Sequence, residues 1–199
     1  MHTATVATFV RRRAGELIRR SAAWARIAAA IGPDDAPARR FGAFGRGSCL
    51  VFPQGTILNE HAIQIGCDTI IGPYASVSAG IAEGQELITD PVVKIGDDIQ
   101  TGPYVYITDQ NHSYVDPDQP IGIQVPVEAA VRIGSGSWLG ANVVVLPGSV
   151  IGEHVVVAAG AVVRGEIPDH CVVAGVPARI VRRFVPEHGW VSVDGEVPA

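Results

Sequence analysis

Residues 133–163 read IGSGSWLGANVVVLPGSVIGEHVVVAAGAVV, and an aliphatic residue returns at every sixth position of this stretch. An α-helix would place its apolar residues about 3.6 positions apart, and a half-buried strand would alternate strictly between apolar and polar residues. A period of six therefore predicts a short strand followed by a turn, repeated along the chain. The phased positions are Ile133, Leu139, Val145, Ile151, Val157 and Val163.

The same period is found upstream in two shorter stretches, residues 65–77 and 95–107. Eleven of the twelve phased positions are aliphatic, Thr101 being the exception, and seven are followed directly by glycine. We expect each phased side chain to point inward, and we expect the glycine to give the bend an unusual backbone conformation. Three such strands make a triangular coil of about eighteen residues, and stacked coils bury the aliphatic side chains inside a prism.

These repeats resemble those of the hexapeptide-repeat acyltransferases, and the resemblance covers roughly residues 48–184. The coils of that family form a left-handed parallel β-helix, so the resemblance implies a mainly β fold of that hand. It also implies a homotrimer whose active sites lie at the subunit interfaces. The run TDQNHSYVDPDQP, residues 108–120, is most similar to a loop of the sugar and exopolysaccharide O-acetyltransferases, which include the galactoside and maltose enzymes.

Interruptions of the repeat divide the chain into segments. Apolar residues from Val10 to Ile31 follow alternating spacings of four and three, which predicts an amphipathic N-terminal α-helix. Residues 79–90 lose the repeat and are expected to form a loop or a distorted coil. The predicted segments are an N-terminal helix and linker over 1–47, the β-helix over 48–184 with an extruded catalytic loop at 108–130, and a tail over 185–199.

His112 is the candidate general base because, of the six histidines, it is the one that opens the extruded loop. An imidazole suits this role because its pKa lies near the operating pH, and the resemblance gives the loop histidine the same role. Asp109, three residues upstream, is a candidate for holding the imidazole tautomer, with a backbone carbonyl as the alternative. Asn111 and Tyr114 are candidates for contacts with the acceptor or the oxyanion.

The stretch from Ser135 to Pro168 resembles the coils that hold coenzyme A in this family, which implies acetyl-CoA as the acyl donor and no metal. The family often has lysine where this chain has Gly165, and Arg164 is the expected substitute. The matched positions are Trp138 at the acyl end of the groove, Ala141, Ala159 and Gly160 along the pantetheine arm, and Arg179 and Arg182 at the phosphates.

Charge is unevenly distributed along the chain. Residues 1–46 carry nine basic and three acidic residues, whereas residues 47–199 carry six basic and seventeen acidic residues. We expect the basic helix to pack on the prism or on a neighbouring subunit, with peripheral contact to an anionic membrane as the alternative. No basic motif interleaved with aromatic residues is found, so nucleic acid is not an expected partner. Neither a secretory signal nor a long apolar run is found, so the expected location is cytoplasmic.

The predicted function is coenzyme-A-dependent transfer of an acyl group, acetyl on family grounds, to a hydroxyl of a sugar or exopolysaccharide. A small xenobiotic or serine acceptor is one alternative, and a non-catalytic structural β-helix is another. A metalloenzyme like the gamma-class carbonic anhydrases is disfavoured. Those proteins hold their metal through three histidines, two of them five residues apart, and Pro117 occupies the position five after His112.

Overall fold

The computed structural model describes residues 30–80 and 92–193. Over these residues the chain forms short strands and three 3-10 helices, Ala36–Arg40, Glu60–Ala62 and Ile121–Ile123. The strands are β1 Ala43–Phe44, β2 Cys49–Leu50, β3 Ile57–Leu58, β4 Ile63–Ile65, β5 Ile70–Ile71, β6 Ser76–Ser78, β7 Val93–Ile95, β8 Gln100–Thr101, β9 Tyr106–Thr108, β10 Gln110–Asn111, β11 Val127–Glu128, β12 Val131–Ile133, β13 Trp138–Leu139, β14 Val144–Val145, β15 Val150–Ile151, β16 Val156–Val157, β17 Val162–Val163, β18 Glu166–Ile167, β19 Cys171–Ala174, β20 Arg179–Val185 and β21 Gly189–Ser192. No helix in this part of the chain is long and apolar enough to cross a bilayer.

Three sheets form the sides of a prism. The first sheet has the order β1-β4-β7-β12-β15-β18, the second β2-β5-β8-β13-β16-β19-β20-β21, and the third β17-β14-β9-β6-β3. Strands stacked from coil to coil pair in parallel, as β4 does with β7 and β13 with β16. The architecture is therefore a parallel β-helix with three strands in each coil, as the period of six predicted.

The phased aliphatic residues stand in register inside the prism. Ile65 lies opposite Ile95, Ile95 opposite Ile133, and Ile133 opposite Ile151. These four side chains are only 1–3% exposed. Because a single coil cannot cover its own aliphatic face, burial between stacked coils supplies the main favourable contribution to folding.

The glycines that follow the phased positions allow neighbouring coils to approach each other closely. A Cβ atom on Gly134 would lie 2.5 Å from the carbonyl carbon of Gly152 in the next coil. None of the seven glycines has a positive φ, and the left-handed residue falls two positions later, as at Asp68 (φ 52°) and His154 (φ 53°). The expectation of an unusual backbone conformation at these glycines was therefore wrong. Glycine is needed there because a side chain would collide with the next coil.

Strands pair at both ends of the prism, close to the predicted segment boundaries. β1 pairs with β4, so the first sheet begins at Ala43, which lies in the segment predicted as N-terminal helix and linker. β21 pairs with β20, so the segment expected to be a tail from residue 185 adds a strand that ends at Ser192. The predicted N-terminal helix falls on residues 1–29, which lie outside the described residues, and on Ile31, which forms an antiparallel bridge with Leu50.

Two interruptions of the repeat do not disturb the stacking of the coils. β4 pairs directly with β7 across the first insertion, in which residues 81–91 lie outside the described part of the chain. β7 pairs with β12 across the second, which is the loop predicted at 108–130. The base of this loop is an antiparallel ribbon of β10 and β11, with Asn111 opposite Val127.

Candidate active site

His112 directly follows β10, on the arm of the ribbon that leads into the loop. The residue is exposed and contacts two cavities. The first, which we call the polar cavity, has a volume of about 310 Å³. Its hydrogen-bonding side chains are those of Asn59, Ser78, Tyr106, Thr108, Gln110, Asn111 and His112.

The second cavity, which we call the apolar cavity, has a volume of about 320 Å³. It shares Asn111 and His112 with the polar cavity, and its other lining residues are Ser113, Tyr114, Val115, Val127, Ala129 and Pro147. The imidazole therefore borders both a hydrogen-bonding surface and a largely apolar one. A general base must come within hydrogen-bond reach of the proton that it abstracts, and an exposed imidazole at the mouth of a cavity can do so.

Asp109 makes no hydrogen bond to His112 within the described residues. Its Oδ1 accepts a hydrogen bond of 2.6 Å from the backbone N–H of Gly80, and its Oδ2 has no hydrogen-bond partner in this part of the chain. The pKa of the Asp109 carboxyl is raised overall. Burial is the largest cause and raises it, the Gly80 N–H lowers it, and the charge of Glu128 raises it. The predicted bond to the imidazole is absent because the carboxyl turns toward Gly80 at the neck of the loop.

Sequence reasoning missed five polar residues of this cavity, namely Asn59, Ser78, Tyr106, Thr108 and Gln110. The Asn59 amide donates a hydrogen bond to the carbonyl oxygen of Ala79. The Ser78 hydroxyl donates a hydrogen bond of 3.1 Å to the Thr108 hydroxyl. A signal for Ser78 was available. It follows a phased aliphatic residue by one position, and strand alternation directs such a side chain to the outer face of the sheet.

Trp138 lies on β13 in the second sheet and is 54% exposed. A tryptophan that served only to fill the core would be largely buried. The ring is therefore accessible from solvent, and its role beside the acyl group stays a prediction. Neither cavity at His112 includes Trp138, so the two candidate residues do not share a cavity of one chain.

Small residues form a strip along one corner of the prism. The Gly160 N–H donates a hydrogen bond of 2.9 Å to the Ala141 carbonyl, so these two residues are neighbours in successive coils. Ala159 and Gly160 are exposed, and a Cβ atom on Gly160 would meet no atom within 4 Å. An extended ligand can therefore lie directly against the backbone here.

Arg164, Arg179 and Arg182 are exposed near the C-terminal end of the prism. Arg164 follows β17 directly, and the other two belong to β20. None of the three forms an ion pair with a carboxylate among residues 30–80 and 92–193. One guanidinium nitrogen of Arg179 donates a hydrogen bond of 3.0 Å to the Ala178 carbonyl oxygen. The guanidinium N–H groups outside that bond could meet an anionic ligand, for which charge-assisted hydrogen bonds are strong.

A metal centre does not form among the described residues, since no three or more His, Cys, Asp or Glu side chains are grouped there to hold an ion. The chemistry available at His112 is that of a base surrounded by neutral hydrogen-bonding groups. Such an arrangement suits proton transfer to and from a hydroxyl.

Comparison with known proteins agrees with the repeat. A family model described as bacterial transferase hexapeptide, six repeats, matches residues 130–165. The galactoside O-acetyltransferase of Escherichia coli K12 is 33% identical over 139 residues, which cover 65% of this chain and 68% of that protein. The chain belongs to the hexapeptide-repeat acyltransferase family.

Other relatives of this hexapeptide-repeat protein are matched over less of their length. WbbJ of E. coli K12, named for O-acetyl transfer in lipopolysaccharide biosynthesis, is 44% identical over 99 residues, covering 46% of this chain and 50% of WbbJ. Acetyltransferase Rv3034c of Mycobacterium tuberculosis is 40% identical over 129 residues, which are 65% of this chain and 38% of Rv3034c. The chain thus spans half or less of the length of these two curated relatives.

Among solved structures, a hexapeptide-repeat acetyltransferase of Vibrio cholerae in complex with acetyl-CoA superposes with a TM-score of 0.62. It is 29% identical, and the match covers 74% of this chain and 73% of that chain. The predicted fold class is therefore confirmed, since the hexapeptide-repeat prism is a left-handed parallel β-helix. The N-terminal helix stays a prediction.

Proposed function

We propose that this hexapeptide-repeat protein transfers an acetyl group from acetyl-CoA to a hydroxyl of a sugar or exopolysaccharide. The observation that carries the proposal is that His112 borders a polar and an apolar cavity at the same time. Relatives support the reaction class, because galactoside O-acetyltransferase and WbbJ are named for O-acetyl transfer. The Vibrio cholerae relative binds acetyl-CoA.

His112 acts as the general base in this proposal. A neutral imidazole nitrogen accepts the proton of the acceptor hydroxyl while that oxygen attacks the thioester carbonyl. A C–O bond forms, the C–S bond of the tetrahedral intermediate then breaks, and the imidazolium returns the proton to the departing thiolate. Asn111 borders both cavities and is the proposed hydrogen-bond donor to the acceptor or the oxyanion.

The polar cavity favours an uncharged acceptor that carries several hydroxyl groups. Its described lining offers the amides of Asn59 and Gln110 and the hydroxyl of Ser78, with no carboxylate and no basic side chain besides His112. A free serine acceptor carries an ammonium and a carboxylate, and both need charged partners when they leave water. A sugar ring needs only neutral donors and acceptors, so we favour a glycan over serine.

The acyl donor is proposed to lie along the corner strip of Ala141, Ala159 and Gly160, with Trp138 beside the acyl group. Its phosphates would meet Arg164, Arg179 and Arg182, which form the cationic end of the groove. Since neither His112 cavity includes Trp138, we propose that the groove of one subunit meets the His112 loop of a neighbour in a homotrimer.

We also propose that the protein acts in the cytoplasm, where its acyl donor would be available. The basic N-terminal segment is proposed to pack on the prism or on a neighbouring subunit. Peripheral contact with an anionic membrane is its alternative role. Sedimentation with vesicles that contain anionic lipid, compared for the full chain and a chain that starts at Ala30, separates these two roles.

The test is release of free thiol from acetyl-CoA in the presence of maltose, a β-galactoside, exopolysaccharide fragments, serine or chloramphenicol. We expect release with the glycans and a product heavier by one acetyl group in the mass spectrum. Release with serine or chloramphenicol alone would overturn the acceptor class. If no acceptor supports release while coenzyme A still raises the melting temperature, the transfer function fails and the donor site is retained.

A further inference from the structure

The neck of the His112 loop contains a buried carboxyl group that has no direct place in the proposed chemistry. Asp109 is 1% exposed and lies between Thr108 and Gln110, which both line the polar cavity. Asp109 itself does not line that cavity. An ionisable side chain buried beside a candidate active site calls for a physical explanation.

Asp109 connects three segments that meet at the neck. Its Oδ1 accepts the hydrogen bond of 2.6 Å from the Gly80 N–H, and Gly80 belongs to the wall of the polar cavity. Its carbonyl oxygen accepts a hydrogen bond of 2.8 Å from the Ala129 N–H on the returning arm of the loop. Asp109 directly precedes β10, the outgoing arm that leads to His112. One residue therefore joins the cavity wall to both arms of the loop.

The contact between wall and ribbon is close. A Cβ atom on Gly80 would lie 2.6 Å from Oε1 of Glu128, and Glu128 accepts a hydrogen bond of 3.1 Å from the Gln110 amide. A shift of Gly80 relative to the ribbon would therefore alter the wall of the cavity and the direction in which the loop leaves the prism. This makes the bond between Gly80 and Asp109 a restraint on the geometry of the site.

The second carboxyl oxygen of Asp109 makes this arrangement unfavourable for the stability of the fold. Oδ2 of Asp109 is buried and has no hydrogen-bond partner among the described residues. A buried polar atom without a partner is unfavourable for folding, so such atoms are uncommon in native structures and concentrate where a particular geometry is needed.

We propose that Asp109 is a positioning residue, which fixes the wall at Gly80 to the neck of the loop and so sets where His112 stands over the polar cavity. The inference rests on the proposed acetyl transfer and deepens it. It replaces the role of direct partner to the imidazole that the sequence spacing predicted for Asp109.

Two substitutions separate this role from a requirement for charge. Asp109→Asn keeps an oxygen that can accept the Gly80 N–H, and Asp109→Ala removes it. We expect Asp109→Ala to lower kcat by about 10- to 100-fold, because small misplacements of a catalytic group have effects of this size. KM for acetyl-CoA should change by less than about twofold, and Asp109→Asn should retain kcat within about fivefold of wild type.

Amide hydrogen exchange supplies a readout that needs no activity. In Asp109→Ala we expect faster exchange in peptides that cover residues 76–80 and 108–130, with no change in the coils over 131–163. Asp109→Asn should exchange like wild type. Asp118→Ala is the matched control, because it removes an exposed carboxyl from the same loop, and it should leave both kinetics and exchange unchanged.

Each outcome decides the proposal. Local acceleration of exchange in Asp109→Ala, restored by Asp109→Asn, supports it. Unchanged exchange at the loop overturns it, as does equal acceleration throughout residues 131–163, since the carboxyl would then stabilise the fold as a whole. Equal loss of kcat in both variants also overturns it. If wild type shows no acceptor-dependent thiol release, the proposed function fails, and hydrogen exchange still decides whether Asp109 holds the loop.

Discussion

The backbone N–H of Gly160 donates a hydrogen bond of 2.9 Å to the carbonyl oxygen of Ala141 in the preceding coil. The strands next to this corner, β13 and β16, pair in parallel with Trp138 opposite Val156, so the two coils are stacked in register. Small residues at successive turns therefore line up along the prism axis. A corner without protruding side chains is what a long, narrow acyl carrier would need in order to reach the backbone.

A bulky side chain on this corner should block the donor. Ala159 is exposed, so we expect Ala159→Leu to fold with a melting temperature close to that of wild type. The added side chain should raise Kd for coenzyme A at least about tenfold, because it occupies the path proposed for the pantetheine arm. Titration calorimetry measures this Kd, and Ala159→Ser, which stays small, should remain within about threefold of wild type. Equal Kd values for all three proteins would place the donor elsewhere.

Glycine at the coil contacts should be required for stability. In Gly134→Ala the new Cβ atom would lie 2.5 Å from the carbonyl carbon of Gly152. Overpacking of this kind typically destabilises a protein by about 1–3 kcal/mol. Gly122→Ala is the matched control, since a Cβ atom there meets nothing within 4 Å and the φ of Gly122 is not positive. Urea denaturation compares the two variants, and equal midpoints would contradict the steric explanation.

The buried carboxyl of Asp109 should make stability depend on pH. Because burial raises the pKa of this carboxyl, the folded state holds the proton more tightly than the unfolded chain. The resulting contribution to stability is complete below the ordinary aspartate pKa of about 3.9 and is lost as the pH rises through the raised value. Asp109→Asn cannot ionise at this position. The free energy of unfolding of Asp109→Asn minus that of wild type should therefore increase as the pH rises, and the difference should become constant above the raised pKa.

Urea denaturation between about pH 4 and pH 8 measures this difference. Asp118→Asn, which changes an exposed residue of the same loop, should follow the wild-type curve. A difference between Asp109→Asn and wild type that is constant over this range would show that Asp109 keeps its proton affinity unchanged on folding.

The sequence was sufficient to predict the architecture because a β-helix places the same demand on every coil. At eleven of the twelve phased positions, Thr101 being the exception, the chain turns an aliphatic residue inward. Ile95 and Ile133 meet this demand although the extruded loop separates them in the chain. The role of the glycines could not be predicted in the same way. The collision that Gly134 avoids involves Gly152 in the next coil, and a single repeat does not reveal how closely two coils approach.

The candidate site was predictable in part. The position of His112 followed from the break in the repeat, because a segment without inward aliphatic residues has to leave the prism. The environment of Asp109 did not follow from its spacing to His112, because its side-chain partner, Gly80, is 29 residues away. Such a contact depends on how one insertion stacks against the coil before it, and three residues of separation along the chain do not determine it.

The most direct test of the account is the kcat/KM of His112→Ala with acetyl-CoA and the best glycan acceptor, measured beside His188→Ala. His188 is an exposed histidine near the C-terminal end of the described chain, so its replacement controls for the loss of an imidazole. We predict a loss of at least about 100-fold for His112→Ala, a normal melting temperature, and near wild-type activity for His188→Ala. A His112→Ala enzyme within about threefold of wild type would show that His112 is not the general base.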